Sequence, residues 1–311
     1  FGGAEAGCPC AACLKGVKTM FLQQVINGIA IGSTYALVAI GYSLVFGVLK
    51  IINFANGSLY MAGAYITLLV YGALKRNIII SIVASLLLVG IMAYSVDVIG
   101  LRKLRKDNAP KMSGLITTLG IATVIDNVIQ IFIGTETKAF PNFLNFGKLK
   151  VGSLVINSTQ VLIFAICVVI MLAFSLLVYK TKFGKAMQAV SQNIVAAKLM
   201  GIDTKFVISA TFIMSGVLAS LAGSLVGTYY GAIDTTLGAS VGMKTFSAAV
   251  LGGVGSLPGA MIGGLIVGLA EALGASYISS GYRDAIAFVI LIMVLLIKPT
   301  GILGKTTIEK M

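Results

Sequence analysis

The sequence predicts an all-α fold, a polytopic bundle of transmembrane helices with about eight spans, some of them broken or re-entrant. Three observations predict it. Of 311 residues, 58% are hydrophobic and only 11% charged, against about 25% charged in ordinary soluble domains, and the mean hydropathy is +1.02. Several apolar runs exceed the ~20 residues that carry a helix across a ~30 Å hydrocarbon layer. These runs are continuous, whereas the strands of a membrane β-barrel alternate with period two.

The net charge of +13 does not point to nucleic acid, because the basic residues are not gathered in one soluble unit. Five lie in Arg102–Lys111, five between Lys180 and Lys205, and three from Lys298 onward. The positive-inside rule puts such loops on the cytoplasmic face, next to anionic headgroups. Histidine is absent, which removes the commonest proton-relay side chain. Cys8, Cys10 and Cys13 make an incomplete tetrahedral metal set, and Cys167 reads as a small buried hydrophobe. Residues 1–19 lack the apolar core of a signal peptide and read as a non-native or disordered leader to one transmembrane domain, 20–311.

In chain order, Phe21–Gly47 is a span rich in Gly, Ala and Ser, residues that let helices approach closely in lipid, so it belongs at the centre. Lys50–Tyr65 follows. Its Asn53, Asn56 and Gly57 suit either a broken or re-entrant segment facing a water-filled path or a simple polar loop. The second span ends near Gly72, the third is Ile78–Leu101, and the fourth is Met112–Gly134. Asp126, Asn127 and Gln130 on the fourth are costly in lipid and are expected to point into the bundle. Thr135–Ser153 is a polar extracytoplasmic loop, Leu154–Tyr179 the fifth span and Phe206–Tyr230 the sixth. In Met243–Tyr277 a break at Gly252–Gly259, containing Gly252, Gly253 and Gly255, separates a half-helix from a full span. Gly255, Gly259 and Gly263, and Gly264 with Gly268, recur at i+4 for tight crossing. Glu271 on the full span is an intramembrane carboxylate, a functional candidate by default, with a hydrogen bond to a neighbouring helix as the structural alternative. Tyr282–Ile297 is the last span. If the basic loops share one face, the C-terminus is inside; the N-terminus is outside when the first three spans all cross, and a re-entrant second segment reverses it.

No catalytic, cofactor or metal residues are predicted. Gly304-Lys305-Thr306 imitates the end of a phosphate-binding loop, but Pro299 stands where that motif needs Gly. An enzyme is not expected, so transport energy must come from an ion gradient or another subunit. Tyr179–Asp203 is the longest interior stretch too polar for lipid. Within it Gly184 and Gly201 bracket a predicted helix whose Met187, Val190, Ile194 and Ala197 form one apolar stripe, with Gly201 placed to end it. That stripe suits either the membrane surface or a groove on a partner.

From Met20 onward the chain resembles the permease subunits of bacterial branched-chain amino acid ABC transporters. INGIAIGSTYALVAIGYSLVFGVLKIINFANG (Ile26–Gly57), FGKAMQAVSQNIVAAKLMGI (Phe183–Ile202), FSAAVLGGVGSLPGAMIGGLIVGLAE (Phe246–Glu271) and SSGYRDAIAFVILIMVLLIKPTGILG (Ser279–Gly304) carry the resemblance. It implies a multi-pass inner-membrane protein in which Gly184–Gly201 is a coupling helix docked on ATP-binding subunits. It also implies a second permease subunit, identical or related, and a periplasmic or lipid-anchored solute-binding protein, with a branched-chain amino acid as substrate. Asn53, Asn56, Gly57, Gly252, Gly253, Gly255 and Glu271 are the candidates for the path. Three positions depart from the family pattern: Asn56 stands where the family has His, Ser58 where an acidic residue is common, and Asn193 where Asp is frequent. Related permeases carry urea, short amides or other amino acids, and a gradient-driven secondary transporter using Asp97, Asp126 or Glu271 is the rival class.

Overall fold

The computed structural model describes residues 10–73, 77–106, 110–141, 148–151, 154–277, 279–298 and 300–304. Its helices in chain order are α1 (Cys10–Leu49), α2 (Ala55–Ala73), α3 (Ile78–Ser95), α4 (Arg102–Lys106), α5 (Lys111–Ile133), α6 (Ser158–Lys180), α7 (Lys182–Gln192), α8 (Ile194–Leu199), α9 (Thr204–Tyr230), α10 (Leu237–Gly252), α11 (Leu257–Tyr277) and α12 (Arg283–Ile297). A π-helical turn, Val96–Leu101, joins α3 to α4. The strands are β1 (Lys138–Ala139), β2 (Lys148–Val151), β3 (Leu154–Asn157) and β4 (Ala232–Ile233). Six of the described helices are long and apolar enough to cross a membrane, and α2, α10 and α12 pack among them. The expected multi-pass helical bundle is what the chain forms.

The described part of the leader is not separate from the first span, because α1 begins at Cys10 and runs unbroken through Phe21; residues 1–9 lie outside the described residues. The predicted fifth span is also shorter than expected. Leu154–Asn157 forms β3, paired antiparallel with β2 from Lys148↔Asn157 to Val151↔Leu154, and the helix starts at Ser158. Short β-branched runs can serve either state, and cross-strand pairing decided this one.

Glycine sets the centre of the bundle. α11 carries two small-residue faces. Gly264 and Gly268 lie against Ala36 and Gly32 of α1, while Gly259 and Gly263 lie against Gly252 and Ala248 of α10. One helix therefore meets two neighbours backbone to backbone, the dispersion-driven packing that helices use in lipid. Gly255 takes no part in this face, because α11 starts only at Leu257.

α2 and α9 run parallel: Asn56 meets Ser215, Gly63 meets Ser220 and Thr67 meets Ser224. α1 and α11 run antiparallel. The basic segments α4, Lys180–Lys185 and Lys298 gather at one end with Lys50, where α1 stops and the chain passes through Ile51–Phe54 into α2. That end is the inside by charge. α1, residues 51–73 and α3 each travel between the two ends, with α2 starting at mid-depth, so the segment at Asn53 is a break within a crossing and not a re-entrant loop. α1 starts at the outer end.

Candidate functional site

The residues singled out by the sequence fall in three places along the bundle. At mid-depth, the side-chain oxygen of Asn53 accepts from the Ala55 N–H at 3.2 Å, satisfying one of the free donors at the start of α2. Its amide nitrogen has no partner among the described residues. Asn56 is fully buried; Ser215 donates its hydroxyl to Oδ1 at 2.9 Å, and Nδ2 faces the Val38 carbonyl at 3.5 Å. Asn56 thereby ties α2 to α9 and α1. Gly57 lets α10 approach, since a Cβ there would lie 2.5 Å from the Gly238 carbonyl oxygen. Beside these residues is a cavity of 190 Å³ lined by Tyr42, Phe54, Ser58, Leu119, Asp126 and Gly242 among others. Ser58 and Asp126 are polar groups of its wall, and Asn53 and Asn56 stand outside the lining. Asp126 Oδ1 has no hydrogen-bond partner among the described residues. Asn127 turns the other way, exposed, with its amide on the Thr123 carbonyl. Adjacent residues on a helix point about 100° apart, so Asp126 and Asn127 cannot share one face as expected.

The second place is the inner end. α10 stops at Gly252, and Gly253 (φ +106°) and Gly255 (φ +87°) occupy backbone conformations that side chains disfavour. The last carbonyls of α10 are not left empty: Ile302 and Leu303 donate their N–H groups to Leu251 and Gly252 at 2.9 and 3.0 Å. The break borders a cavity of 290 Å³ whose opposite wall is Met187, Gln188 and Ser191 of α7.

The predicted Gly184–Gly201 helix is two helices. Asn193 is extended (φ −154°, ψ 111°), and its Oδ1 accepts from the N–H groups of Val195 and Ala196 at 2.9 and 3.1 Å, starting α8. Asn is a strong N-cap because its short acceptor reaches those donors. α7 opens on Thr181, whose hydroxyl accepts from the Gly184 N–H at 3.2 Å, and Gly184 lies against the Val178 backbone. Gly201 (φ +81°) ends α8; its N–H and that of Ile202 bond back to Lys198 and Ala197, a Schellman termination. The apolar stripe faces neither lipid nor partner. Met187, Val190 and Ala197 are buried against the chain's own bundle, while Ile194 falls off the stripe, 43% exposed, because the break at Asn193 shifts the helical register. The outward face of α8 is instead an apolar knob of Ile194, Val195, Leu199 and Met200, the last two 82% exposed.

The third place surrounds Glu271, at the outer end. Glu271 is 1% exposed and meets two cations at one oxygen: Lys244 Nζ lies 3.0 Å from Oε1, and Arg283 Nε is in ion-pair contact with the same atom. Lys244 also pairs with Asp284, and Arg283 donates to the Tyr230 hydroxyl. In place of a hydrogen bond to a neighbouring helix, the structural alternative for Glu271, the structure shows an ion-pair cluster joining α10, α11 and α12. Sequence reasoning missed Lys244 and Arg283. A lone Lys in a Gly-rich apolar helix was a usable signal, but its partner lies 27 residues away on another helix.

A further buried pair sits at the inner end. Arg105 donates to Asp97 Oδ1 at 2.6 Å, and Ser209 donates to Oδ2 at 2.6 Å. This ties the π turn to α9 just beyond α8.

The fold resembles that of PsaBC from Streptococcus pneumoniae, solved in complex with Fab, with a TM-score of 0.51 at 15% identity over 93% of this chain and 96% of that one. In sequence the chain is 38% identical over 303 residues to the high-affinity branched-chain amino acid transport system permease protein LivH of Escherichia coli K12, covering 93% of this chain and 97% of that protein. It is 37% identical over 302 residues to BraD, the high-affinity branched-chain amino acid transport system permease protein of Pseudomonas aeruginosa, covering 93% and 98%. The probable branched-chain amino acid transport permease LivH of Methanocaldococcus jannaschii is 31% identical over 304 residues, covering 93% and 94%. The family profile described as branched-chain amino acid transport system / permease component matches residues 24–295. A helical multi-pass bundle whose sequence follows that profile and those relatives almost end to end belongs to the branched-chain amino acid transport system permease family.

Proposed function

We propose that this chain is the membrane-spanning subunit of an ATP-binding cassette importer that carries branched-chain amino acids across a bacterial inner membrane. Its identity to LivH and BraD over nearly the whole chain supports that substrate class. The observation that carries the mechanism is the geometry of α7 and α8. An apolar knob of Ile194, Val195, Leu199 and Met200 projects from the inner end, while Met187 and Val190 anchor the same segment in the bundle. Burying such a knob in a groove of an ATP-binding subunit makes a helix-in-groove joint. Motion of that subunit is then delivered through α7 to the glycine break, because both line one cavity. Gly253 and Gly255 let α10 and α11 pivot there, and α10 leads directly to Gly57 and the mid-depth cavity. A second permease subunit and a solute-binding protein complete the assembly.

The test is reconstitution in proteoliposomes with the ATP-binding subunits, the second permease subunit and the binding protein. Labelled leucine uptake should require ATP and all components. Uptake that continues when the ATP-binding subunits are omitted would overturn the reading.

A further inference from the structure

Lys244, Glu271 and Arg283 converge on a cavity of 340 Å³ at the outer end, walled on its apolar side by Tyr35, Leu237 and Val241. As a clamp between three helices this arrangement is a poor choice, since well-packed apolar residues often hold a dry interior as firmly as buried ion pairs do. Two features point to a ligand. Both cations meet Glu271 at Oε1, whereas Oε2 is buried and has no hydrogen-bond partner among the described residues. A buried carboxylate oxygen without a donor is costly to leave so. The cavity also offers charges of both signs beside apolar walls. Lys244 and Arg283 balance Glu271 and Asp284, and Asp234 at the rim adds a further carboxylate whose Oδ1 accepts from Thr236 and Leu237.

We propose that this cavity binds the zwitterionic backbone of an amino acid at the outer end of the path. The α-ammonium donates to Glu271 Oε2. The α-carboxylate accepts from Lys244 and Arg283, and on Lys244 it takes the place of Asp284, whose side chain is 59% exposed and free to return to water. The aliphatic side chain lies against Tyr35, Leu237 and Val241. Both charges of the ligand are met without a change in the net charge of the site, which is what a neutral zwitterion requires in a low-dielectric setting. This inference rests on the reading of the chain as an amino acid importer subunit.

The experiment measures labelled leucine binding to the complex of permease and ATP-binding subunits in nanodiscs, without the solute-binding protein. Competition is with leucine, with leucinamide, which lacks the carboxylate, and with 4-methylpentanoate, which lacks the ammonium. Each analogue should need at least about tenfold more than leucine, since each forfeits charge-assisted hydrogen bonds. Glu271→Gln should weaken leucine binding by a similar factor. Should that variant fail to assemble, Leu237→Trp fills the cavity without touching an ion pair and should abolish binding while eluting normally. Analogues that compete as well as leucine, a Leu237→Trp complex that binds like wild type, or no saturable leucine binding to a complex that performs ATP-driven leucine uptake when the same preparation is placed in proteoliposomes with the solute-binding protein would each overturn the site. Loss of ATP-driven uptake in the wild-type complex would instead sink the importer reading.

Discussion

Gly268 of α11 stacks on Gly32 of α1, so closely that a Cβ on Gly268 would lie 2.2 Å from the Gly32 Cα. The Gly32 Cα belongs to backbone at the core of the bundle, so it cannot yield without separating the two helices. Gly268→Leu should therefore lose the monodisperse peak in fluorescence-detected size exclusion. Gly120→Ala is the control: nothing lies within 4 Å of its Cβ position, and removing a helical glycine should leave stability unchanged or raise it by up to about 1 kcal/mol.

Substitutions on the two faces of the α7–α8 segment should separate coupling from folding. Leu199→Asp alters the exposed knob and should cut ATP-driven uptake at least about tenfold, the effect of losing one buried apolar anchor at a partner interface. Its melting temperature in detergent should not move. Val190, 1% exposed, faces the bundle, and Val190→Asp buries an unpaired carboxylate, so the melting temperature itself should fall. Equal thermal loss in both variants would show that the knob is part of the fold.

The geometry at Asn193 needs only a side-chain acceptor. Asn193→Asp should keep both cap hydrogen bonds and gain from the positive end of α8. Asn193→Ala removes the cap at a cost of about 1 kcal/mol, local to the α7–α8 joint. Limited proteolysis should cut the Ala variant faster between α7 and α8 and leave the Asp variant like wild type.

Arg105 neutralises a carboxylate that has no exposure to solvent. Arg105→Ala leaves the buried Asp97 carboxylate without its cation at a cost of about 3–5 kcal/mol. Asp97→Asn leaves Arg105, 19% exposed, able to reach water and keeps a hydrogen bond to Ser209. Melting curves should therefore rank Arg105→Ala below Asp97→Asn, and the double variant should recover part of the loss. A double variant no better than Arg105→Ala alone would show that the pair does not act as a unit.

Much of the bundle was legible because lipid imposes a strict grammar. Runs long enough to cross, glycine at helix breaks and basic loops on one face are local properties, and α1, α9, the Gly253–Ser256 corner and the turn at Gly201 follow from them. The polar contacts were less legible. Asp126 and Asn127 are neighbours in sequence but point apart, and nothing in the chain near Glu271 announces Lys244 or Arg283. Asn193 reads equally as a helix residue or a cap until the backbone around it is known.

The sequence by itself determined the fold class, the crossing elements and the family, since each depends on composition, spacing and motifs that survive without knowledge of contacts. Tertiary structure alone decided what each candidate faces. It turned the Met187–Val190 stripe inward and left Leu199 and Met200 outside. It made Asn53 the cap at the start of α2, tied Asn56 to α9 and α1, and gave Glu271 two cations. The physical reason is that a helix fixes only the angular spacing of its side chains. Which angle meets lipid, a neighbour or a cavity is set by how the helices are rotated when their glycine faces close.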